Sequence, residues 1–196
     1  ASMYAVYHGP EGIRGIAESV HGAACTLAHG LRKAGLTVET GVFFDTIVAR
    51  LDAARATAVF SAAAAEGVNL RRVGADGLAI AFDETTTEAD IAQVLRLFGA
   101  PADVRALADE ASSSLPKNLC RTSAYLTHPV FSAHYSETEM LRYMRKLESR
   151  DLSLTHSMIA LGSCTMKLNA SAEMYPVTWR EVGGLHPFAP RAQAKG

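Results

Sequence analysis

From Pro10 to Ala34 the apolar residues Ile13, Ile16, Ala17, Val20, Ala24, Leu27 and Leu31 return every three or four positions, the period of a helix with one face turned to a core. A helix of that length needs a substantial body to cover it. Pro10 fits the first turn, where no intrahelical donor is lost, and Lys33 followed by Gly35 fits the end through charge and backbone freedom. The period then changes. Thr37 to Leu51 carries Val38, Val42, Phe43, Phe44, Ile47 and Val48, β-branched and aromatic residues suited to one or two strands. Ala53 to Glu66 reads as a helix stopped at Gly67, and Leu70 to Val73 with Leu78 to Phe82 as a hairpin turning through Gly74-Ala75-Asp76-Gly77. Thr85 with Glu88 reads as the capping box of a helix through Ile91, Val94, Leu95 and Phe98 to Gly99. This order predicts an α+β domain in which helices layer a small sheet.

Beyond Gly99 the pattern loosens. Ala111-Ser112-Ser113-Ser114-Leu115-Pro116 reads as an exposed loop, and the domain boundary is placed near it. Tyr125 to Phe131 is expected to be extended. Ser136 with Glu139 is a further capping box, opening a helix toward Asp151. Met140, Leu141, Met144 and Leu147 form its apolar stripe, and Arg142, Arg145 and Lys146 its solvent side. Ala170 to Met174 suits one helical turn before Pro176, and His186-Pro187-Phe188-Ala189-Pro190 an extended, rigid segment.

Charge and cysteine usage narrow the function classes. With Lys+Arg 19 against Asp+Glu 20 there is no excess positive field for a phosphate backbone or an anionic bilayer, so neither nucleic acid nor membrane is an expected partner. The longest apolar run, Ala56 to Ala65, falls far short of the ~20 residues that span a bilayer. The opening residues lack a charged leader followed by an apolar core, so no secretory route is expected. The three cysteines, Cys25, Cys120 and Cys164, contain no C-x-x-C and point to a reducing compartment, with Cys25 as a core residue. The seven histidines include no H-E-x-x-H, and His21 and His29 read as partly exposed helix residues. No metal is expected.

The densest polar chemistry lies between Leu152 and Asn169. There Ser163, Cys164, Thr165, Lys167 and Asn169 follow Gly162 within a few residues. G-x-S-x-G, G-x-x-x-x-G-K-[ST] and G-x-G-x-x-G are all missing, which leaves two readings: a loop whose hydroxyls, backbone N–H groups and Lys167 hold a small anion, or a polar helix cap.

Ser157-Met158-Ile159-Ala160-Leu161-Gly162-Ser163-Cys164-Thr165-Met166-Lys167-Leu168-Asn169 resembles the signature of the glycine cleavage system P-proteins, the pyridoxal-phosphate-dependent glycine decarboxylases. Ala160 departs from it, where the family pattern has proline. Tyr4 to Gly12, Phe44-Asp45-Thr46, Asp83-Glu84-Thr85-Thr86, Leu126 to Phe131, Ser136 to Met140 and His186-Pro187-Phe188 resemble the same family in the same order. The resemblance implies the middle of a longer polypeptide made of two related halves of the aspartate-aminotransferase type. Residues 1–105 would be the small α+β domain closing the first half. Residues 106–196 would be the connector and the helical and extended N-terminal arm of the second.

It further implies that the intact enzyme, a dimer, decarboxylates glycine on pyridoxal phosphate as electron sink and passes the aminomethyl group to the lipoyl arm of H-protein. Its place would be the cytoplasm of a bacterium or the mitochondrial matrix of a eukaryote. The Schiff-base lysine of the family lies in a His-Lys context, and no His-Lys occurs here, so no catalytic residue is assigned and Lys167 does not match that motif. Ser163, Cys164, Thr165, Lys167 and Asn169 are expected to wall the substrate and cofactor site. The chain alone is expected to be inactive and not to hold the cofactor. The alternative is a non-catalytic interface module linking the two halves.

Overall fold

The computed structural model describes residues 1–39, 41–150 and 170–195. Two compact units divide the chain, Ala1–Glu137 and Thr138–Gly196.

The first unit is α+β. Helix α1 (Ser2–Lys33) is followed by strands β1 (Thr37–Val38) and β2 (Thr46–Arg50), helix α2 (Ala53–Ala65), strands β3 (Arg71–Val73) and β4 (Gly77–Ala81), and helices α3 (Glu88–Leu97) and α4 (Val104–Glu110). The strands form one antiparallel sheet in the order β1-β2-β4-β3. Along β2, Ile47 and Ala49 are buried and alternate with partly covered Thr46, Val48 and Arg50, as a sheet with helices on one face requires. Across the register Ile47 faces Ile80 and Ala49 faces Leu78, so the apolar pairs stack into the helical layer. Helix α1 packs on β1 and β2, α2 on β4, and α3 and α4 against α1. Leu27, Leu31, Ile47, Leu78, Leu95 and Phe98 are the largest fully enclosed side chains.

Helices α1, α2 and α3 end alike. Gly35, Gly67 and Gly99 have φ of 78°, 78° and 70°. The next residue donates back five positions in each case: Leu36 to Leu31, Val68 to Ala63 and Ala100 to Leu95, at 3.0, 2.8 and 2.9 Å. These left-handed closures satisfy carbonyls the helix would otherwise leave open. Gly30 serves a different purpose. A Cβ there would lie 2.6 Å from a Leu95 methyl and 3.0 Å from one of Leu107, so its absence lets α1 approach α3 and α4.

The structure revises several expectations. Helix α1 begins at Ser2, eight residues before Pro10, and breaks at Gly9 (φ 63°, ψ −177°), so Pro10 opens only its second segment. The cap of α3 is Thr87 with Asp90, not Thr85 with Glu88. Asp83 holds the backbone and hydroxyl of Thr85 at 2.9 and 2.7 Å, which keeps Thr85 outside the helix. Helix α4, capped by Asp103, was not anticipated, since its buried Val104 and Leu107 are too few to show a period. Pro129–Ser132 is a turn of 3-10 helix capped by His128, not extended chain. Ser113 and Ser114 tie the 111–116 loop to the first unit, as described below.

In the second unit, helix α5 (Glu137–Glu148) starts directly after Ser136, with Met140 buried and Leu147 half-buried but Leu141 and Met144 exposed. Arg142, Arg145 and Lys146 are exposed, as expected. Helix α6 (Ser171–Met174) is the single turn expected before Pro176, its end closed by the Glu173 carboxylate accepting from the Ala170 N–H at 2.9 Å. A 3-10 turn (Tyr175–Thr178) and α7 (Arg180–Gly183) follow. His186 to Ala189 is a turn closed by Ala189 N–H donating to the His186 carbonyl at 2.9 Å, correcting the extended reading; Pro187 suits its second position.

Candidate functional site

Ser163, Cys164, Thr165, Lys167 and Asn169 lie outside the described residues. The described residues instead bring together four of the other segments that carry the resemblance, in pairs, at two places in the first unit.

The first is the break in α1. Residues 4–12 meet residues 125–135 there. The Tyr125 hydroxyl donates to the Pro10 carbonyl at 2.5 Å, and a Cβ on Gly9 would lie 2.7 Å from the Phe131 carbonyl oxygen and 2.9 Å from the Tyr135 ring. Gly9 has the backbone angles of a region essentially reserved for glycine, and this is what lets the later segment lie directly on the α1 backbone. Tyr4 and Tyr7 pack their rings on His8 at 4.3 and 5.3 Å beside the break.

The second is a groove of about 1020 Å³ lined by α1, Phe44, the start of α3, helix α4 and the 111–116 loop. Phe44-Asp45-Thr46 enters β2 beside the point where Asp83-Glu84-Thr85-Thr86 leaves β4, and Phe82 N–H donates to the Asp45 carbonyl at 3.2 Å. The Asp83 carboxyl is held below its ordinary range, first by the Thr85 hydroxyl and then by the Thr85 backbone N–H.

His21 is the hub of the groove. Its Nδ1 lies 2.8 Å from the Phe44 carbonyl oxygen, and because a carbonyl only accepts, Nδ1 carries a proton. Nε2 lies 2.9 Å from the Ser113 hydroxyl, and the Cys25 sulfur is 3.4 Å from the same nitrogen. The imidazole stacks on the Phe44 ring, 5.9 Å between centroids at 1°. Ser114 completes the clasp: its hydroxyl donates to the Phe43 carbonyl at 2.8 Å and accepts from the Phe43 N–H at 3.3 Å.

A serine hydroxyl on an oriented imidazole has the outline of an activated nucleophile. Here the orienting group is a backbone carbonyl, and the Ser113 oxygen also accepts from the Leu115 N–H at 3.2 Å, so the bonds fasten the loop to the helix. Sequence reasoning placed His21 partly in solvent, whereas it is buried. The signal was present: His21 follows Ala17 and precedes Cys25 by four residues each, beside the apolar stripe. Cys25 is buried as expected, and His29 is half-covered and bonded to Glu110 at 3.1 Å.

Replacing His21 by leucine keeps the volume but strands the Phe44 carbonyl and frees Ser113. The expected cost is about 1–3 kcal/mol, the range for leaving a buried polar partner unpaired. Amide exchange should accelerate across 111–116 and leave α2 unchanged. Equal exchange in that loop would show that the bonds to His21 do not hold it.

A lysine that forms a Schiff base needs a desolvating pocket. Lys33, Lys117, Lys146 and Lys195 are all exposed, Lys33 with its ammonium 2.8 Å from Glu110. No described lysine is therefore placed to hold pyridoxal phosphate as a Schiff base. Among them no group of three His, Cys, Asp or Glu side chains could hold a metal ion, and no helix is long and apolar enough to cross a membrane.

Comparison with known proteins supplies what these contacts leave open. A family model described as glycine cleavage system P-protein matches residues 1–98. Glycine dehydrogenase (decarboxylating) of Chromobacterium violaceum is 54% identical over the whole of this chain and 20% of its own length. The protein of the same name from Bradyrhizobium diazoefficiens is 58% identical, again over all of this chain and 20% of its own length. That of Vibrio cholerae is 51% identical over all of this chain and 21% of the relative. The chain thus spans about a fifth of the length of the curated relatives it matches. The family match over half of the sequence, with identity maintained to its far end, agrees with the two junctions at which separated family segments meet in the fold, and the chain belongs to the glycine cleavage system P-protein family.

Proposed function

We propose that this chain is a part of a glycine decarboxylase, which in its intact form releases the glycine carboxylate as carbon dioxide and passes the aminomethyl group to the lipoyl arm of H-protein. The observation that carries this reading is identity above half, over the whole of this chain, to proteins named glycine dehydrogenase (decarboxylating). Pyridoxal phosphate is the cofactor of that intact enzyme. Its lysine lies in polypeptide other than this chain, in keeping with the exposure of every lysine among the described residues.

Residues 1–105 belong to the small domain of the first half, of the aspartate-aminotransferase type, and residues 106–196 to the connector and arm of the second. The contribution of the first unit is positional: through Gly9, Tyr125, His21 and Ser113 it fixes where the later segment leaves the domain. Ser163, Cys164, Thr165, Lys167 and Asn169 wall the substrate site. The interface-module reading describes the same chain in isolation, since a scaffold without the cofactor's lysine does no chemistry.

Release of labelled carbon dioxide from carboxyl-labelled glycine tests both levels. The intact protein with H-protein should release it, and Ser163→Ala with Thr165→Ala should raise the glycine KM or lower kcat. No release would overturn the decarboxylase assignment, and unchanged kcat and KM would overturn the wall assignment. This chain mixed with pyridoxal phosphate should develop no absorbance of a lysine-bound pyridoxal. A stoichiometric band abolished by Lys167→Ala would place the cofactor's lysine here.

A further inference from the structure

Within residues 175–188 the side chains of Tyr175, Val177, Trp179, Val182, Leu185 and Phe188 are all exposed, from 46% for Leu185 to 90% for Phe188. Among residues 170–195 none is buried. Over 175–188 the only Asp, Glu, Lys or Arg residues are Arg180 and Glu181, adjacent and opposite in sign. A long run of uncovered aromatic and aliphatic surface with almost no net charge marks an interface, and aromatic anchors dominate interface energetics. Helices α6 and α7 are four residues each, too short to stand on their own hydrogen bonds, so their order depends on packing from outside.

Phe188 is the most exposed of these side chains, and it is presented by a closed turn. Pro187 fixes one torsion of its turn, the His186 carbonyl accepts from Ala189 N–H at 2.9 Å, and His186 Nδ1 accepts from Phe188 N–H at 3.1 Å. The backbone donors of the turn are spent locally. The ring is held ready without further ordering of the loop, which lowers the entropic cost of seating it.

We infer that this apolar ridge is an interface with the protein's own remaining polypeptide and that Phe188 is its anchor, inserted into a pocket there. The inference rests on the reading of the intact protein as a longer P-protein. Relatives carry four-fifths of their length outside the part this chain matches, so a covering body exists within one polypeptide and at high effective concentration. The uncharged, aromatic composition is that of a permanently covered surface, not of a transient encounter.

Hydroxyl-radical footprinting of the full-length protein, read by mass spectrometry, tests this. Phe188, Trp179 and Tyr175 should oxidise severalfold more slowly in the native protein than in the same protein unfolded in guanidinium, and dilution should not change that protection. Native oxidation at the unfolded rate would show an uncovered ridge, and protection that fades on dilution would assign the ridge to a second copy; either overturns the inference. Phe188→Ala should lower the melting temperature of the full-length protein by several degrees and speed oxidation of Trp179, whereas Phe188→Leu should keep both near wild type. An alanine variant with wild-type melting and protection overturns the anchor role. None of these readings uses glycine turnover. A covered ridge in a protein that does not decarboxylate glycine would count against the proposed function alone.

Discussion

Gly9→Ala is expected to destabilise the first unit by roughly 2–6 kcal/mol, combining about 1–3 for a side chain forced into this backbone region with a similar amount for overpacking. At φ 63° and ψ −177° alanine is strained whatever surrounds it. The surroundings add a second penalty, because the new Cβ would meet the Phe131 carbonyl oxygen at 2.7 Å. A flexible side chain could swing aside, but a carbonyl can retreat only by moving the 3-10 turn, which would stretch the bond from Tyr125 to Pro10. Gly15 gives the contrast. It lies in the same helix, and a Cβ there meets nothing within 4 Å, so Gly15→Ala should stabilise by about 0.5–1 kcal/mol through helix propensity. Urea unfolding followed by circular dichroism measures both. Equal effects at the two glycines would refute the special geometry assigned to Gly9.

Phe98→Ala should cost about 3–5 kcal/mol, the usual range for emptying a fully enclosed aromatic site. Phe98 is 1% exposed, the largest of the fully enclosed side chains, and its ring fills the core from the end of α3. Its carbonyl also accepts from the Arg55 guanidinium at 2.8 Å, a bond the substitution leaves in place, so the loss reports packing. Leu119→Ala, at a residue 64% exposed, should change stability by less than about 0.5 kcal/mol. A Phe98→Ala midpoint close to that of Leu119→Ala would mean that the core closes over the vacated space.

Local signals in the sequence were read well where one physical requirement selects one residue type. Glycine past the end of α1, α2 and α3, strand-forming runs at β2 and β4, and the alanine-rich α2 each follow from a local rule, and the α+β class follows from their order. Where two residues satisfied a rule equally, the choice was made by contacts between neighbours. Thr85 and Thr87 both precede an acidic residue by three, and only the claim of Asp83 on Thr85 decides between them. Gly9 and His21 needed partners about a hundred residues away, which no local window contains. The wall role proposed for Ser163, Cys164, Thr165, Lys167 and Asn169 rests on resemblance, since hydroxyls, a thiol and a lysine behind one glycine suit a cap as well as a site.

The bond from Tyr125 to Pro10 joins residues 115 apart, and that from Ser113 to His21 residues 92 apart. Closing such loops costs entropy that grows only with the logarithm of their length, but it cannot occur before both ends exist. During synthesis the backbone at Gly9 therefore waits for a stretch made well after it, without the carbonyl of Phe131 to lie against it. The bend of α1 is set only when the chain has been made as far as Tyr135, so this helix, made before the sheet it packs on, is among the last elements of the first unit to take its final shape.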